Sequence, residues 1–407
     1  MELNDLLRQT VAASASDLHL AVGLPPMVRT RGRLQPLGES KLTQDDTARL
    51  AYSMFKPYHK ERFESTWELD LSYVVPDTGR FRVNVFRQRG SIGVAARVIP
   101  EQVPAIEDLN LPPILKELTR KPRGLILMTG PTGQGKSTTL ASMIDFINHD
   151  RVAHIMMIED PIEYVFPHRK SMVNQRELGN DTQSFPNALR AVLREDPNVI
   201  VVGEMRDLDT IATTLTIAET GHLVFATLHT SNAAQSIDRI VDVFPSVQQS
   251  QIRVQLASVL EAVLSQQLLP MEESSERAVL AGEPEDAGTP RAAPDAVGLP
   301  APPGGPGPLR PVHVTLRGRI PAVEIMIATP AIRNLIREGK THQIPSALQT
   351  GSQFGMQSMD QALLALYKRG LISSETAVAR AVYPEDLRRS IGREWGGIGE
   401  AMPGLRP

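Results

Sequence analysis

A glycine-rich stretch that ends in lysine, serine and threonine has the residue types and spacing needed to bind phosphate. It fits the pattern G-x-x-x-x-G-K-[ST] and consists of Gly130, Pro131, Thr132, Gly133, Gln134, Gly135, Lys136, Ser137 and Thr138. In this pattern backbone N–H groups close on phosphate oxygens at a helix N-terminus. The lysine, Lys136, reaches the β- and γ-phosphates, and the Ser137 hydroxyl ligates Mg²⁺. The stretch therefore predicts binding of a nucleoside triphosphate, with ATP and Mg²⁺ as cofactors.

Carboxylates follow two apolar runs further along the chain. Glu204 comes after the run Val199–Val202, and Gly203 stands where such a strand usually carries an aspartate. A glutamate at this strand end can orient or deprotonate an attacking water. The segment 158–163 contains three more carboxylates, of which Glu163 is the last. They can polarise water or hold a hydrated Mg²⁺, and a solvated acidic loop is the alternative interpretation.

Two other residue types are candidates for contacts with a triphosphate. His229 follows the apolar run 223–227, at the strand end where a γ-phosphate sensor would lie, whereas His222 at the opposite end is expected to have a structural or interface role. Several arginines occur between residues 80 and 97. They indicate either a solvated strand face or arginine fingers, and the second interpretation selects Arg82 and Arg97.

The elements that must position these residues are typical of an α/β fold. Short apolar runs alternate with helical segments after residue 113: Leu125–Met128, Ile155–Ile158, Val199–Val202 and Leu223–Ala226. That alternation predicts a parallel sheet flanked by helices, with ligands bound beyond the carboxyl ends of the strands. A long helix is predicted over 247–269. A shorter one is predicted over Ala331–Glu338, with Ile332, Leu335 and Ile336 on one face and Arg333 and Arg337 on an exposed charged face.

Residues 1–99 are predicted to form a smaller α+β domain. A helix over 3–13 is followed by strands beginning at Asp17 and covering 67–75, 80–87 and 92–99, which suggests an antiparallel sheet. Residues 100–113 are proline-rich and predict a linker. The second domain is then expected over 114–395, with a disordered insertion rich in proline, glycine and alanine at 272–310 and a flexible tail at 396–407.

The composition of the 407 residues disfavours several classes of protein. A net charge of −3 and an aromatic content of 4% argue against a nucleic-acid partner. Cysteine is absent, which excludes disulfides, thiolate zinc sites and a cysteine nucleophile. The N-terminus is unlike a signal peptide, and no apolar stretch reaches the roughly 18 residues of a membrane span. We therefore expect a cytoplasmic protein.

Several segments together resemble one known family. They are Ala15–Leu20, Gly79–Asn84, the phosphate-binding loop, Ile158–Tyr164, Ala188–Pro197, Val202–Asp207, Glu219–Phe225, Thr227–Thr230, Asp238–Pro245 and Ala331–Glu338. The chain resembles the type IV pilus retraction ATPases, the PilT family of the secretion-ATPase superfamily, from about residue 3 to residue 380. Gly203 agrees with the pattern of that family, and the insertion replaces what is normally a short hairpin turn.

The resemblance implies a PAS-like N-terminal domain, a RecA-like P-loop ATPase domain and a ring-shaped homohexamer. It implies catalytic roles for Glu163, Glu204 and His229. It further implies an ATP-driven motor that retracts pili and so powers twitching motility. Such a motor would act on an inner-membrane platform protein at the cytoplasmic face, reaching the membrane only through partners.

Other functions remain open from the sequence. Pilus assembly and type II secretion ATPases share the core but are usually longer, and many carry a four-cysteine zinc motif that this chain lacks. An accessory paralogue of the main retraction motor is a further alternative. A nucleic-acid translocase and a small-molecule kinase use the same phosphate-binding loop.

Overall fold

Two compact units make up the described part of the chain. The computed structural model describes residues 2–30, 32–100, 102–272 and 318–396, with side chains as far as 392. The first unit runs to Val103 and also includes Pro161–Pro167, and the second comprises 104–160 and the described residues from His168 onward. Apart from Glu272 and Gly396, the predicted insertion and the predicted tail lie outside the described residues.

The first unit is built on a six-stranded antiparallel sheet with the strand order β3-β2-β1-β6-β5-β4. Its elements are α1 Leu3–Ala12, β1 Asp17–Leu20, β2 Met27–Thr30, β3 Arg33–Pro36, α2 Gln44–Tyr52, α3 Pro57–Thr66, β4 Glu68–Val75, β5 Gly79–Gln88 and β6 Ser91–Ile99. Apolar and polar residues alternate along β5, where Phe81, Val83 and Val85 are buried and Arg82 is exposed. The buried face packs against the helices, which confirms the predicted α+β unit.

A seven-stranded sheet forms the centre of the second unit, in the order β13-β12-β7-β11-β10-β8-β9. The strands are β7 Gly124–Thr129, β8 His154–Glu159, β9 Met172–Glu177, β10 Val199–Val202, β11 Leu223–Leu228, β12 Leu260–Pro270 and β13 Arg319–Ile327. Every neighbouring pair is parallel except β12 and β13. Every residue of β7, β10 and β11 is buried. Fully covered parallel strands read as continuous apolar runs, and the four predicted strands are confirmed.

Helices of the second unit pack around this sheet. Those within the described residues are α4 Ile114–Thr119, α5 Lys136–Asp150, α6 Phe185–Val192, α7 Leu208–Glu219, α8 Ala233–Asp242, α9 Ser246–Val259, α10 Pro330–Arg337, α11 Ile344–Thr350, α12 Met359–Lys368, α13 Ser374–Arg380 and α14 Pro384–Gly396. One large apolar cluster joins strand residues to α6 through α11, and a second joins β12 and β13 to α12, α13 and α14. None of the helices in the described ranges is long and apolar enough to cross a membrane.

The prediction of one long helix over 247–269 is wrong. Helix α9 ends at Val259, and Leu260 begins the strand β12. The residues Leu260, Ala262, Val263 and Leu264 are fully buried, and β12 lies between β7 and β13. A buried strand and a buried helix segment both appear as apolar runs, so periodicity alone does not separate them.

The region between the two units also differs from the expected linker over 100–113. From Pro104 onward the chain groups with the second unit. Ile106, Leu109 and Leu111 are buried there. Most of the proline-rich segment 100–113 is therefore part of the second unit and not a linker.

Helix α10 has the predicted apolar face, but of the two arginines predicted on an exposed charged face only Arg337 is exposed. Ile332 and Ile336 are completely buried. The Arg333 guanidinium donates to the carbonyl oxygens of Ala257 and Ser258 at the end of α9, and to Glu261 at 2.7 Å. Because these contacts cover the side chain, the expectation that Arg333 is an exposed surface residue is wrong. Arg333 ties α10 to the end of α9.

Candidate functional site

The phosphate-binding loop connects β7 to the N-terminus of α5. Gly130 has φ of +142°, a conformation that L side chains rarely adopt. A Cβ atom at this position would also lie 2.5 Å from the carbonyl oxygen of Gln266 on β12. Gly135 then precedes the first residue of α5, Lys136. The glycines therefore let the loop close against β12 and direct the helix N-terminus at its centre.

Lys136 is buried, and its ammonium group lies at the centre of the loop. Its Nζ atom donates to the carbonyl oxygens of Gly130 at 2.6 Å and Pro131 at 2.9 Å. The same atom is 3.4 Å from Nδ1 of His229. The lysine thus connects the loop to the segment that follows β11.

His229 and Glu204 form a direct pair at the carboxyl ends of neighbouring strands. Nε2 of His229 is 3.1 Å from one carboxylate oxygen of Glu204, and Arg206 donates to the other at 2.7 Å. The network assigns the imidazole proton to Nε2, because Nδ1 faces the Lys136 donor. Lys136, His229, Glu204 and Arg206 therefore form one connected chain of polar groups, which we call the site cluster.

The environment of Glu204 keeps its carboxyl ionised. Burial alone would raise the pKa of Glu204, whose side chain is only 19% exposed. The hydrogen bond from Arg206, the interaction with His229 and the charge of Arg206 outweigh that effect, so the pKa of Glu204 lies below its ordinary value. The same hydrogen bond raises the pKa of Arg206.

Gly203 is explained by close packing between β10 and β8. Its N–H donates to the carbonyl oxygen of Ile158 at 2.8 Å. A Cβ atom at 203 would lie 3.0 Å from that oxygen and 3.1 Å from Cα of Glu159. These distances are tighter than ordinary van der Waals contact. An aspartate therefore does not fit here without a shift of the backbone, and Glu204 is the carboxylate that β10 presents.

Not every predicted site residue belongs to the site cluster. Lys136, Glu204 and His229 are brought together, and Asp160 lies 4.0 Å from Arg206. Glu163 is exposed within Pro161–Pro167, which groups with the first unit, so its role stays a prediction.

The two arginines selected from the sequence lie in the first unit. Arg82 and Arg97 are exposed and directly opposite one another on β5 and β6. Nε of Arg97 donates to Asp17 on β1 at 2.8 Å. Burial of Asp17 works to raise its pKa, but the bonds from Arg97 and Ser16 lower it below the ordinary value. The sheet thus presents two guanidinium groups side by side, and their contact with a nucleotide stays a prediction.

Two polar residues of the second unit were given no role from the sequence. Arg206 lies two residues after Glu204 in the segment Val202–Asp207, but the sequence does not show that its guanidinium pairs with the Glu204 carboxylate. Gln266 of β12 contacts the phosphate-binding loop, and nothing in the local sequence indicates this. His222 makes contacts within 3.2 Å to Thr220 and to the carbonyl oxygen of Ile217, in keeping with a structural role.

Comparison with known proteins identifies the family. The family described as type II/IV secretion system protein matches residues 104–375. The type IV pilus retraction ATPase PilT of Pseudomonas aeruginosa is 44% identical over 387 residues, covering 95% of this chain and 100% of that protein. The chain belongs to the PilT family. A twitching motility protein of Neisseria gonorrhoeae is 42% identical over 362 residues, covering 89% of this chain and 86% of that protein.

A solved PilT structure has the same fold. The crystal structure of the pilus retraction motor PilT with bound ADP matches with a TM-score of 0.80 and 44% identity, covering 96% of this chain and 99% of that one. The match includes both units, so the α/β architecture expected for the PilT family is confirmed. The site cluster lies in the part of the chain that the secretion family covers.

Proposed function

We propose that this PilT-family protein is an ATP-hydrolysing motor that powers retraction of type IV pili, and hence twitching motility. The observation that supports the proposal most directly is the site cluster, in which Glu204 and His229 lie beside the lysine of a phosphate-binding loop. The relatives named above are a pilus retraction ATPase and a twitching motility protein. Both share most of their length with this chain.

The groups at the loop fit ATP and Mg²⁺. The loop glycines and the N-terminus of α5 supply N–H donors, and Lys136 supplies a positive charge for the β- and γ-phosphates. The Ser137 hydroxyl, at the second position of α5, is the ligand expected for Mg²⁺. When bound, the ion neutralises charge on the phosphoryl oxygens.

Within this arrangement Glu204 is the group that accepts the proton of the attacking water. Its carboxylate is ionised, which a general base requires. His229 touches both Glu204 and Lys136, so it can respond to the γ-phosphate and hold the carboxylate in place. The Arg206 hydrogen bond occupies one carboxylate oxygen, and this contact would loosen when Glu204 takes the proton from the water.

The proposed assembly is a homohexamer at the cytoplasmic face of the inner membrane. Arg82 and Arg97 would reach the triphosphate of a neighbouring subunit as arginine fingers, and Glu163 would add a carboxylate for water or hydrated Mg²⁺. Movement of subunits against one another would act on the inner-membrane platform protein and drive pilin disassembly. No nucleic acid takes part.

Steady-state kinetics on the purified full chain test the enzymatic part. Glu204→Gln keeps the shape of the side chain but removes the base, so turnover should fall by about 10²-fold or more while ADP binding persists. Lys136→Ala should instead weaken nucleotide binding, measured by calorimetry. Turnover of Glu204→Gln within a few-fold of wild type would exclude the assigned role.

The alternatives make different predictions. A nucleic-acid translocase would bind DNA with a steep salt dependence because phosphate contacts release counterions, and a salt-titrated binding assay detects this. A small-molecule kinase would need an acceptor, so ATP hydrolysis without one sets it aside. An assembly ATPase and an accessory paralogue are separated from the main motor by the phenotype of a deletion strain.

A further inference from the structure

The strands β12 and β13 contact the two segments that carry the site cluster, which are the phosphate-binding loop with Lys136 and the chain around His229. They form an antiparallel pair at the edge of the seven-stranded sheet. One strand contacts the phosphate-binding loop, and the other contacts the helix that follows His229. Each contact is made by one buried polar side chain, Gln266 on β12 and Glu324 on β13, which are 2% and 5% exposed.

Gln266 joins the loop to α5 on one side of the sheet. Its Nε2 donates to the carbonyl oxygen of Gln134 at 2.7 Å, and its Oε1 accepts from the Thr139 hydroxyl at 2.8 Å. The neighbouring Leu268 N–H donates to Oε1 of Gln134 at 2.6 Å. With the close approach of Gln266 to Gly130, these bonds fix both ends of the loop against β12.

Glu324 joins two helix N-termini near the other half of the site. Its Oε1 accepts from the N–H of Ala233, the first residue of α8, at 2.8 Å. The N–H of Met359, the first residue of α12, also hydrogen bonds to this carboxyl. First-turn N–H groups have no partner inside their own helix, so one side chain satisfies a donor from each.

The contact at Ala233 lies four residues after His229 in the chain. Within this short segment the Thr230 hydroxyl is 2.6 Å from that of Ser236 on α8. The position of the α8 N-terminus therefore determines where the segment 229–232 ends, while its start follows directly from β11. A displaced α8 would move His229 relative to Glu204 without touching either side chain.

We propose that Gln266 and Glu324 are positioning residues for the two halves of the reaction. Gln266 holds the loop in the form that binds phosphate, and Glu324 holds the His229 segment in the form that supports hydrolysis. This inference rests on the proposed ATPase function. Since one strand of the pair holds the loop with Lys136 and the other holds the segment with His229, the pairing of β12 with β13 sets the distance between these two residues.

The two variants should separate binding from turnover. Gln266→Leu removes the contacts to Gln134 and Thr139, so the ADP dissociation constant and the KM for ATP should each rise about ten-fold, the effect of roughly one lost hydrogen bond, with kcat little changed. Glu324→Gln leaves one helix N–H facing an amide NH₂ group. Its kcat should fall about ten-fold while the ADP dissociation constant stays within about two-fold of wild type.

Two control variants, Gln267→Leu and Glu261→Gln, are on β12. Gln267→Leu makes the same exchange one residue later, at a half-buried position facing the other way, and should leave both constants unchanged. Glu261→Gln replaces by a neutral amide the carboxylate that pairs with Arg333 and Lys121. It should lower the melting temperature without changing kcat. Thr139→Val removes only one donor to Gln266 and should shift the ADP dissociation constant in the same direction by less, which keeps the test valid if Gln266→Leu does not fold.

The possible results separate a failure of this inference from a failure of the proposed ATPase function. If Gln266→Leu and Glu324→Gln lower the melting temperature but keep wild-type KM, kcat and ADP affinity, both residues are plain scaffold and the inference is overturned. The inference also fails if Lys136→Ala loses ADP binding while both of these variants bind ADP and turn over ATP as the wild type does. A wild-type chain that neither binds ADP nor hydrolyses ATP would overturn the proposed function and this inference together.

Discussion

Arg333 and Arg337 lie one turn apart on α10, yet they differ in exposure and in the contacts that they make. The Arg333 side chain is 21% exposed and donates to Ala328, to the end of α9 and to Glu261. Arg337 has an exposed side chain that makes a long 3.5 Å contact with Asn334 of the same helix. The pair is therefore a matched test of whether the contacts of α10 determine stability.

The magnitudes follow from these contacts. A hydrogen bond to a charged group contributes about 1.5–3 kcal/mol, and removing one partner of a buried group adds its desolvation penalty. The bonds of Arg333 are not additive, so Arg333→Ala should reduce the free energy of unfolding by about 2–4 kcal/mol. An exposed substitution such as Arg337→Ala usually changes that free energy by less than about 0.5 kcal/mol.

Urea denaturation of the purified full chain, followed by circular dichroism, measures both variants against wild type. Arg333→Lys serves as a control, since it keeps the charge but loses the forked geometry that reaches several acceptors at once, and should fall between the two. If Arg333→Ala unfolds at the wild-type midpoint, the reasoning about the α9–α10 contact is refuted. Loss of twitching in Arg337→Ala with normal stability would indicate a partner surface on α10.

Three further predictions concern the site and the first unit. Gly203→Asp should destabilise the second unit by about 1–3 kcal/mol, because its Cβ would press on Ile158 and Glu159; an unchanged melting temperature would contradict the packing argument. Arg206→Gln removes a bond that lowers the pKa of Glu204, so Glu204 should be protonated at a higher pH. The acidic limb of the pH–rate profile should then move to higher pH, and an unmoved limb would show that Glu204 does not control it. Mixed rings of Arg82→Ala and Glu204→Gln subunits should recover activity if Arg82 acts across an interface, and no recovery at any ratio argues against that action.

Much of the second unit was predictable from the sequence because burial leaves a local signal. Strands covered on both faces appear as apolar runs, and the loop glycines appear as a motif. The strand β9, Met172–Glu177, was missed because it is a largely polar strand at the sheet edge. Its place depends on pairing with β8 and not on its own composition.

The site could be predicted only where each of its residues follows a strand or motif that the sequence itself reveals. Lys136, Glu204 and His229 follow predicted strands, so their meeting was expected from the rule for parallel sheets. Gln266 contacts Gln134 across 132 positions of sequence, and Arg333 contacts Ala257 across 76. Such contacts depend on the register of β12 and on the angle of α10, neither of which has a local sequence signature.

The most direct test of the proposed function is a deletion strain that carries either the wild-type gene or the Glu204→Gln variant at equal expression. We predict that the deletion strain has excess surface pili and no twitching, that the wild-type gene restores twitching, and that Glu204→Gln does not. Pilus counts by electron microscopy and the diameter of the twitching zone are the two readouts. A deletion strain without pili would instead identify an assembly ATPase, and restored twitching with Glu204→Gln would contradict the account of the site.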